Sequence, residues 1–339
     1  MKEFGSDFHF VQVYQQGSHT ISNLYPHATF FADGRQALIA LYQQMGWKRL
    51  WVPSYFCYEV LESMAHQGVN LAFYDDYPMS DENQVVCSLP YQEGDALLRV
   101  NYFGLRSSRS NAQIGVPVVE DHTHDILGSW AANSDADWCI ASLRKTLPIA
   151  EGGMLWSPKG YQLNEKPELT DFNKRLASVR WNAMKKKSLY LDGMIIDKNE
   201  FRQDMILTEG QFDTMATSAL DEETRCYLER FDVIQWYNGK KANWNMLKDI
   251  CLQRFTVMEP EDPGCFPFSL ILLLDSESER KAIRKSLIDN SIYPAILWSV
   301  PECDNNEVKD FSCRMLSIHC DSRYDNGAMN DLGRIIVAI

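Results

Sequence analysis

The chain has 339 residues, with 33 Lys and Arg against 46 Asp and Glu, a formal net charge of −13. Its 45% hydrophobic and 12% aromatic content is enough for a real core and excludes a largely disordered chain. The negative balance argues against general binding to nucleic acid or anionic membranes, whose phosphates would repel the average surface.

At this length two domains are expected. The start, Met1 to Asp7, lacks the apolar stretch of a signal peptide. Nine cysteines are scattered without a CxxC pair, which signals neither a disulfide framework nor a thiolate zinc site. A reducing cytoplasm is the expected location, and no apolar run is long enough to cross a membrane.

Residues 1–30 show no sustained period. From Gly34, the residues Leu38, Leu41 and Met45 fall at helical spacing, and Gly46 ends the segment. Arg49–Val52 reads as a strand closed by Pro53. A helix with Val60, Leu61 and Met64 on one face comes next, then strands at 70–74, 96–100, 116–120, 138–142 and 153–156. Short apolar strands separated by helices favour an α/β fold with a mostly parallel sheet covered on both faces. The polar stretch 160–215, with its Lys185-Lys186-Lys187 run, reads as irregular and solvated. A long helix is predicted over 220–250, weakened at Gly239. A strand at 266–274, a helix at 277–290, a strand at 314–318 and a last helix after Asn326 suggest a smaller α+β domain.

Four features fall at strand ends of the first domain, where open α/β sheets place ligands. Asp33-Gly34-Arg35-Gln36 opens a helix, whose free N–H groups and dipole suit an anion. Pro53 to Tyr58 is an aromatic cluster where a strand turns into a helix. Glu120-Asp121-His122-Thr123-His124-Asp125 comes after an apolar strand and is open to two readings. His122 and His124 with the nearby carboxylates could ligate a metal, or Asp121 could be a buried acid gripping a protonated nitrogen with His124 beside it. Ser142-Leu143-Arg144-Lys145 places a lysine among apolar residues just past a strand, surroundings that favour a depressed pKa and a nucleophilic amine.

In this order the segments FFADGRQALIAL, LWVPSYFCYEVL, LLRVNYFG, VVEDHTHDILG and CIASLRKTLPIAEGGML resemble the DegT/DnrJ-type sugar aminotransferases, within the fold-type-I pyridoxal-phosphate enzymes. Weaker echoes continue to MLSIHCDSRYDNGAMNDLGRII. The resemblance implies a large cofactor domain with an N-terminal arm over residues 1–230 and a small domain over 231–339. It implies pyridoxal 5'-phosphate as cofactor, with Lys145 as the Schiff-base lysine and Asp121 on the pyridine nitrogen. His124 would lie near the cofactor's phenolic oxygen, with Gly34, Arg35, Gln36 and Ser142 at its phosphate. Counting from Pro53 puts Cys57 at the position of the stacking aromatic, with Phe56 favoured as the ring itself. The activity implied is transfer of an amino group, from glutamate or glutamine, to a keto sugar carried on a nucleotide, by a homodimer. Another reaction or a non-sugar substrate on the same fold, and a metal-dependent hydrolase using His122 and His124, are the alternatives. The family's Gly-x-Asn-x-Arg segment is not found around residues 195–215.

Overall fold

A computed structural model describes residues 3–212, 214–301 and 305–339; Met1, Lys2 and Cys303 lie outside them. Seven strands form the central sheet: β1 (Thr29–Phe31), β2 (Arg49–Pro53), β3 (Leu71–Tyr74), β4 (Asp95–Val100), β5 (Val118–Asp121), β6 (Trp138–Ser142) and β7 (Gly153–Trp156). Their spatial order is β1-β7-β6-β5-β4-β2-β3. From β6 to β3 every pairing is parallel, whereas β7 runs antiparallel to both of its neighbours. Alternation along the strands feeds two cores. Leu50, Val52, Leu98 and Ile140 enter one, and Trp51, Leu97, Cys139 and Ala141 enter the other. Both faces are therefore covered, as a parallel sheet requires.

Helix α1 (Gly34–Met45) ends at Gly46, in the left-handed conformation that glycine adopts without strain. Helix α2 (Tyr58–His66) comes after the turn that ends β2. The stretch expected to be irregular instead forms two helices, α3 (Asp171–Leu191) and α4 (Lys198–Gln211). Thr170 and Asp197 cap them, each accepting a backbone N–H from the first turn. The buried face of α3 has helical spacing, but Asn173, Arg180 and Lys187 sit on it among the apolar residues and dilute the hydrophobic period. Of the lysine run, Lys185 and Lys186 pair at the surface with Glu223 and Glu200, while Lys187 is buried against Glu3.

The predicted long helix is divided into α5 (Glu222–Leu228) and α6 (Val233–Cys251), with Asp232 capping the second. Gly239 allows close approach, since a Cβ there would lie 2.4 Å from Ser322 Oγ. Beyond α6 an antiparallel sheet joins β8 (Thr256–Val257), β9 (Leu270–Leu273) and β10 (Met315–Ile318). Only the end of the apolar run 266–274 is strand. Leu270 and Leu272 face the local core, and Ile271 and Leu273 face the core of the large sheet, which joins the two units. The N-terminal arm also spans them. Phe4–Gly5 pairs with Ile292–Tyr293, and the arm's Glu3 takes Lys187 and Lys198. Among the described residues no helix is long and apolar enough to cross a membrane, and eight cysteines are free thiols.

Candidate active site

The parallel strands β2, β5 and β6 end on the same side of the sheet, and the turns leaving those three ends build the site. Period-two alternation sends Glu120 and Asp121 of β5 to opposite faces. After Asp121 the chain turns, with Thr123 N–H donating to the Asp121 carboxylate at 2.8 Å. Thr123 Oγ1 accepts Ser142 N–H at 2.9 Å, tying the end of β5 to the end of β6. Burial lifts the pKa of Asp121 above the ordinary aspartate value, and the Thr123 bonds offset only part of that rise. No Lys, Arg or His forms an ion pair with Asp121 among the described residues.

His124 lies past this turn and is buried. Its Nδ1 accepts Phe103 N–H at 3.0 Å, so the ring's hydrogen is on Nε2. Burial, with Lys240 and Lys145 adding to it, lowers its pKa to about 3 and keeps the ring neutral. His122 points elsewhere, with Nε2 3.1 Å from Glu120 Oε2. The ligand-type cluster containing His122 is Glu120, His122 and Cys139, all buried, and His124 is not part of it. The two histidines therefore do not share a metal. Strand alternation stops at Asp121, so the spacing that suggested a common face does not apply beyond it.

Asp33 caps α1, accepting Gln36 N–H at 2.9 Å and lying 3.2 Å from Arg35 Nε. The first N–H groups of the helix have no acceptor within it, and they carry the positive end of its dipole. Gly34 is required by packing, because a Cβ would meet Ser142 Cβ at 2.9 Å. Gln36 is turned away from the cavity. Its amide spans Ser218 N and Ala216 O and fixes that segment.

Lys145 ends the short turn after β6, and its side chain is 45% exposed because it opens onto the cavity. The adjacent Arg144 guanidinium and then burial hold its pKa below the ordinary lysine value. Arg144 itself is held by Glu209 of α4 through two bonds of 2.8 Å. Gly34, Arg35, Phe56, Cys57, Asp121, His124, Ser142 and Lys145 all line one cavity, which Glu209, Phe268 and Trp298 complete. Trp298 stacks on His124, with ring centroids 5.6 Å apart and planes at 22°, and lies 5.8 Å from the Phe56 ring. A second cavity shares Arg144, Lys145, Phe268 and Leu297 with the first. It is closed by the arm at Ser6–Phe8 and by Arg180, His319 and Arg323.

Sequence reasoning does not single out Thr123, Glu209, Arg180, Phe268 or Trp298. Thr123 lies within a segment that carries the family resemblance, VVEDHTHDILG, so its surroundings hold a signal. Glu209 has none, since it comes from the polar middle of the chain.

No protein-family model and no curated relative matches the sequence. Solved structures do match in fold. Helicobacter pylori PseC, an aminotransferase involved in the biosynthesis of pseudoaminic acid, is similar over 99% of this chain and 99% of its own, at 13% identity and a TM-score of 0.63. The PMP-form of a putative sugar aminotransferase, Spr1654, from Streptococcus pneumoniae covers 98% of this chain and 96% of its own, at 10% identity and TM-score 0.66. A DegT DnrJ EryC1 StrS aminotransferase from Brucella abortus covers 94% and 87%, at 14% identity and TM-score 0.59. The chain thus has the fold of the fold-type-I aminotransferases along nearly its whole length.

Proposed function

We propose that this chain is a pyridoxal-phosphate-dependent aminotransferase that moves an amino group from an amino acid, glutamate or glutamine, to a keto sugar carried on a nucleotide. The observation that carries this reading is the pairing, in one cavity, of Lys145 with a buried acid that lacks a cationic partner, Asp121. The cavity fits the cofactor. A protonated ring nitrogen would supply the cation that Asp121 lacks. The start of α1 and Ser142, with the Gly34 contact that no Cβ could make, form a cradle for a phosphate.

Pyridoxal phosphate, when bound, supplies an electron sink for the carbanion that loss of a proton leaves behind. The rest of the work belongs to the chain. Asp121, ionised once it faces a cation, holds the proton on the ring nitrogen. Lys145 Nζ would hold the cofactor covalently at its aldehyde carbon, with loss of water, and, once the donor's amine has displaced it, would take the proton from the donor's α-carbon and return it. Its lowered pKa favours the neutral amine that this task needs. His124, oriented by Phe103 N–H at its Nδ1, would donate Nε2–H to the phenolic oxygen. Phe56, Cys57 and Trp298 flank the ring's place, and the second cavity receives the reacting substrate. Residues 1–230 and 231–339 act as the two domains that close on it, in a homodimer.

Absorption spectroscopy with added pyridoxal phosphate tests the cofactor reading: a visible band is expected in the native protein and none in Lys145→Ala. A native protein that stays colourless would overturn it. For the substrate, keto-sugar nucleotides should accept the amino group, whereas acceptance by simple keto acids alone would refute the sugar assignment.

A further inference from the structure

We infer that Glu209 is a positioning residue for the Lys145 amine, a role that rests on the covalent part proposed for Lys145. Glu209 stands in the last turn of α4, in the stretch where the family's Gly-x-Asn-x-Arg segment is missing. Its carboxylate takes both Nη atoms of Arg144 at 2.8 Å, and Arg180 Nη1 lies 3.3 Å away. The two guanidiniums flank one ring, Phe212, at 4.8 and 5.3 Å from its centroid. Both arginines are buried, and Arg144 Nε has no acceptor among the described residues. The carboxylate is thus fixed from two sides and cannot swing without stranding a buried cation. Its remaining side is open to the cavity, with Lys145 Nζ 3.6 Å from Oε1.

Without this carboxylate, Arg144 and Arg180 would face the amine as like charges and drive it away from them. With it, the amine has a counter-charge at a fixed point on the cavity wall. Other groups also face Lys145. Cys57 and Glu59 come from the turn before α2 and its first turn, Asp121 and His124 from the end of β5, and Asp33 and Arg35 from the start of α1. Asp7, His319 and Arg323 lie across the second cavity. Among the described residues, Glu209 is the acid within ion-pair distance of the amine.

Lys145 attacks an aldehyde as the neutral amine, and Glu209 favours its ammonium form. Glu209→Gln keeps the side-chain shape and removes the charge. The experiment incubates the protein with pyridoxal, and separately with pyridoxal phosphate, from pH 6 to 10. Adducts on Lys145 are trapped with borohydride and counted by mass spectrometry, with thermal melts to confirm folding. The expected result is a midpoint for adduct formation about one pH unit lower in Glu209→Gln than in the native protein, with both probes. Glu209→Asp, which keeps the charge and withdraws it by one methylene, should fall between them and serves if Glu209→Gln does not fold. Equal midpoints in the native protein and the folded variants would overturn the positioning role while leaving Lys145 as the covalent residue. A native protein that forms no adduct at Lys145 at any pH would overturn the reading of Lys145, and this inference with it.

Discussion

Glu120 and Asp121 are adjacent on β5, both carboxylic acids and both buried, yet the fold treats them in opposite ways. Glu120 lies under the sheet with its oxygens occupied by Asn111 Nδ2 at 2.8 Å, Ser134 Oγ at 2.6 Å and His122 at 3.1 Å. Burial alone would raise its pKa, but these bonds outweigh it and hold the carboxyl below its ordinary value. Asp121, one residue on and on the other face, is bonded among the described residues to Thr123, and burial outweighs this and the charge of His122 and pushes it up. Saturation on one face gives order. On the other face, an acid left short of donors is a place where a ligand can supply what is missing.

Two substitutions should separate these roles. Asp121→Asn keeps an oxygen for Thr123 N–H and removes the charge that would face a protonated ring nitrogen. The proposed aminotransferase activity should fall about 10³-fold, the scale of losing a buried electrostatic stabiliser, with the cofactor-free protein no less stable. Loss of stability in place of activity would make Asp121 a structural acid like its neighbour. Glu120→Ala should do the reverse. It strands Asn111, Ser134 and His122 and should cost about 3 kcal/mol in denaturant unfolding, the range for breaking a buried polar network. Activity per folded molecule should change only a few-fold. A large activity loss at unchanged stability would mean that the lower face takes part in the chemistry.

Much of this contrast is legible in the sequence, because β5 is short, apolar and closed by two acids. The same holds for Gly34, whose place at a helix start is plain although its contact with Ser142 is not. Periodicity finds surfaces that bury apolar groups, and it is silent where a helix buries Asn173, Arg180 and Lys187. For that reason α3 and α4 escape a reading by period, and with them Glu209, which reaches Lys145 only through tertiary folding. Trp298 illustrates a second limit. It belongs to no regular element, and what gives it meaning is its approach to His124 and Phe56. The spacing of His122 and His124 misleads because a period of two does not extend to residues beyond the end of their strand.

The smallest expected effect is a pH dependence, and it sharpens the contrast between the two acids through its sign. Asp121 has a folded-state pKa above its unfolded value, so the cofactor-free fold keeps a proton that the unfolded chain releases. Stability is therefore lost as pH rises from the ordinary aspartate value through the raised one. Glu120 is the opposite case. Its contribution is present above the ordinary glutamate value and is lost as pH falls through the lowered one. Comparing urea midpoints of the cofactor-free native protein and Asp121→Asn should then show the variant more stable at neutral pH, the sign that a raised carboxyl pKa dictates. That gain should shrink to nothing below about pH 4, where the native carboxyl is protonated in both states. A gain independent of pH would mean that packing, and not the charge, separates Asp121 from its neighbour. The role of an acid awaiting its cation would then be withdrawn.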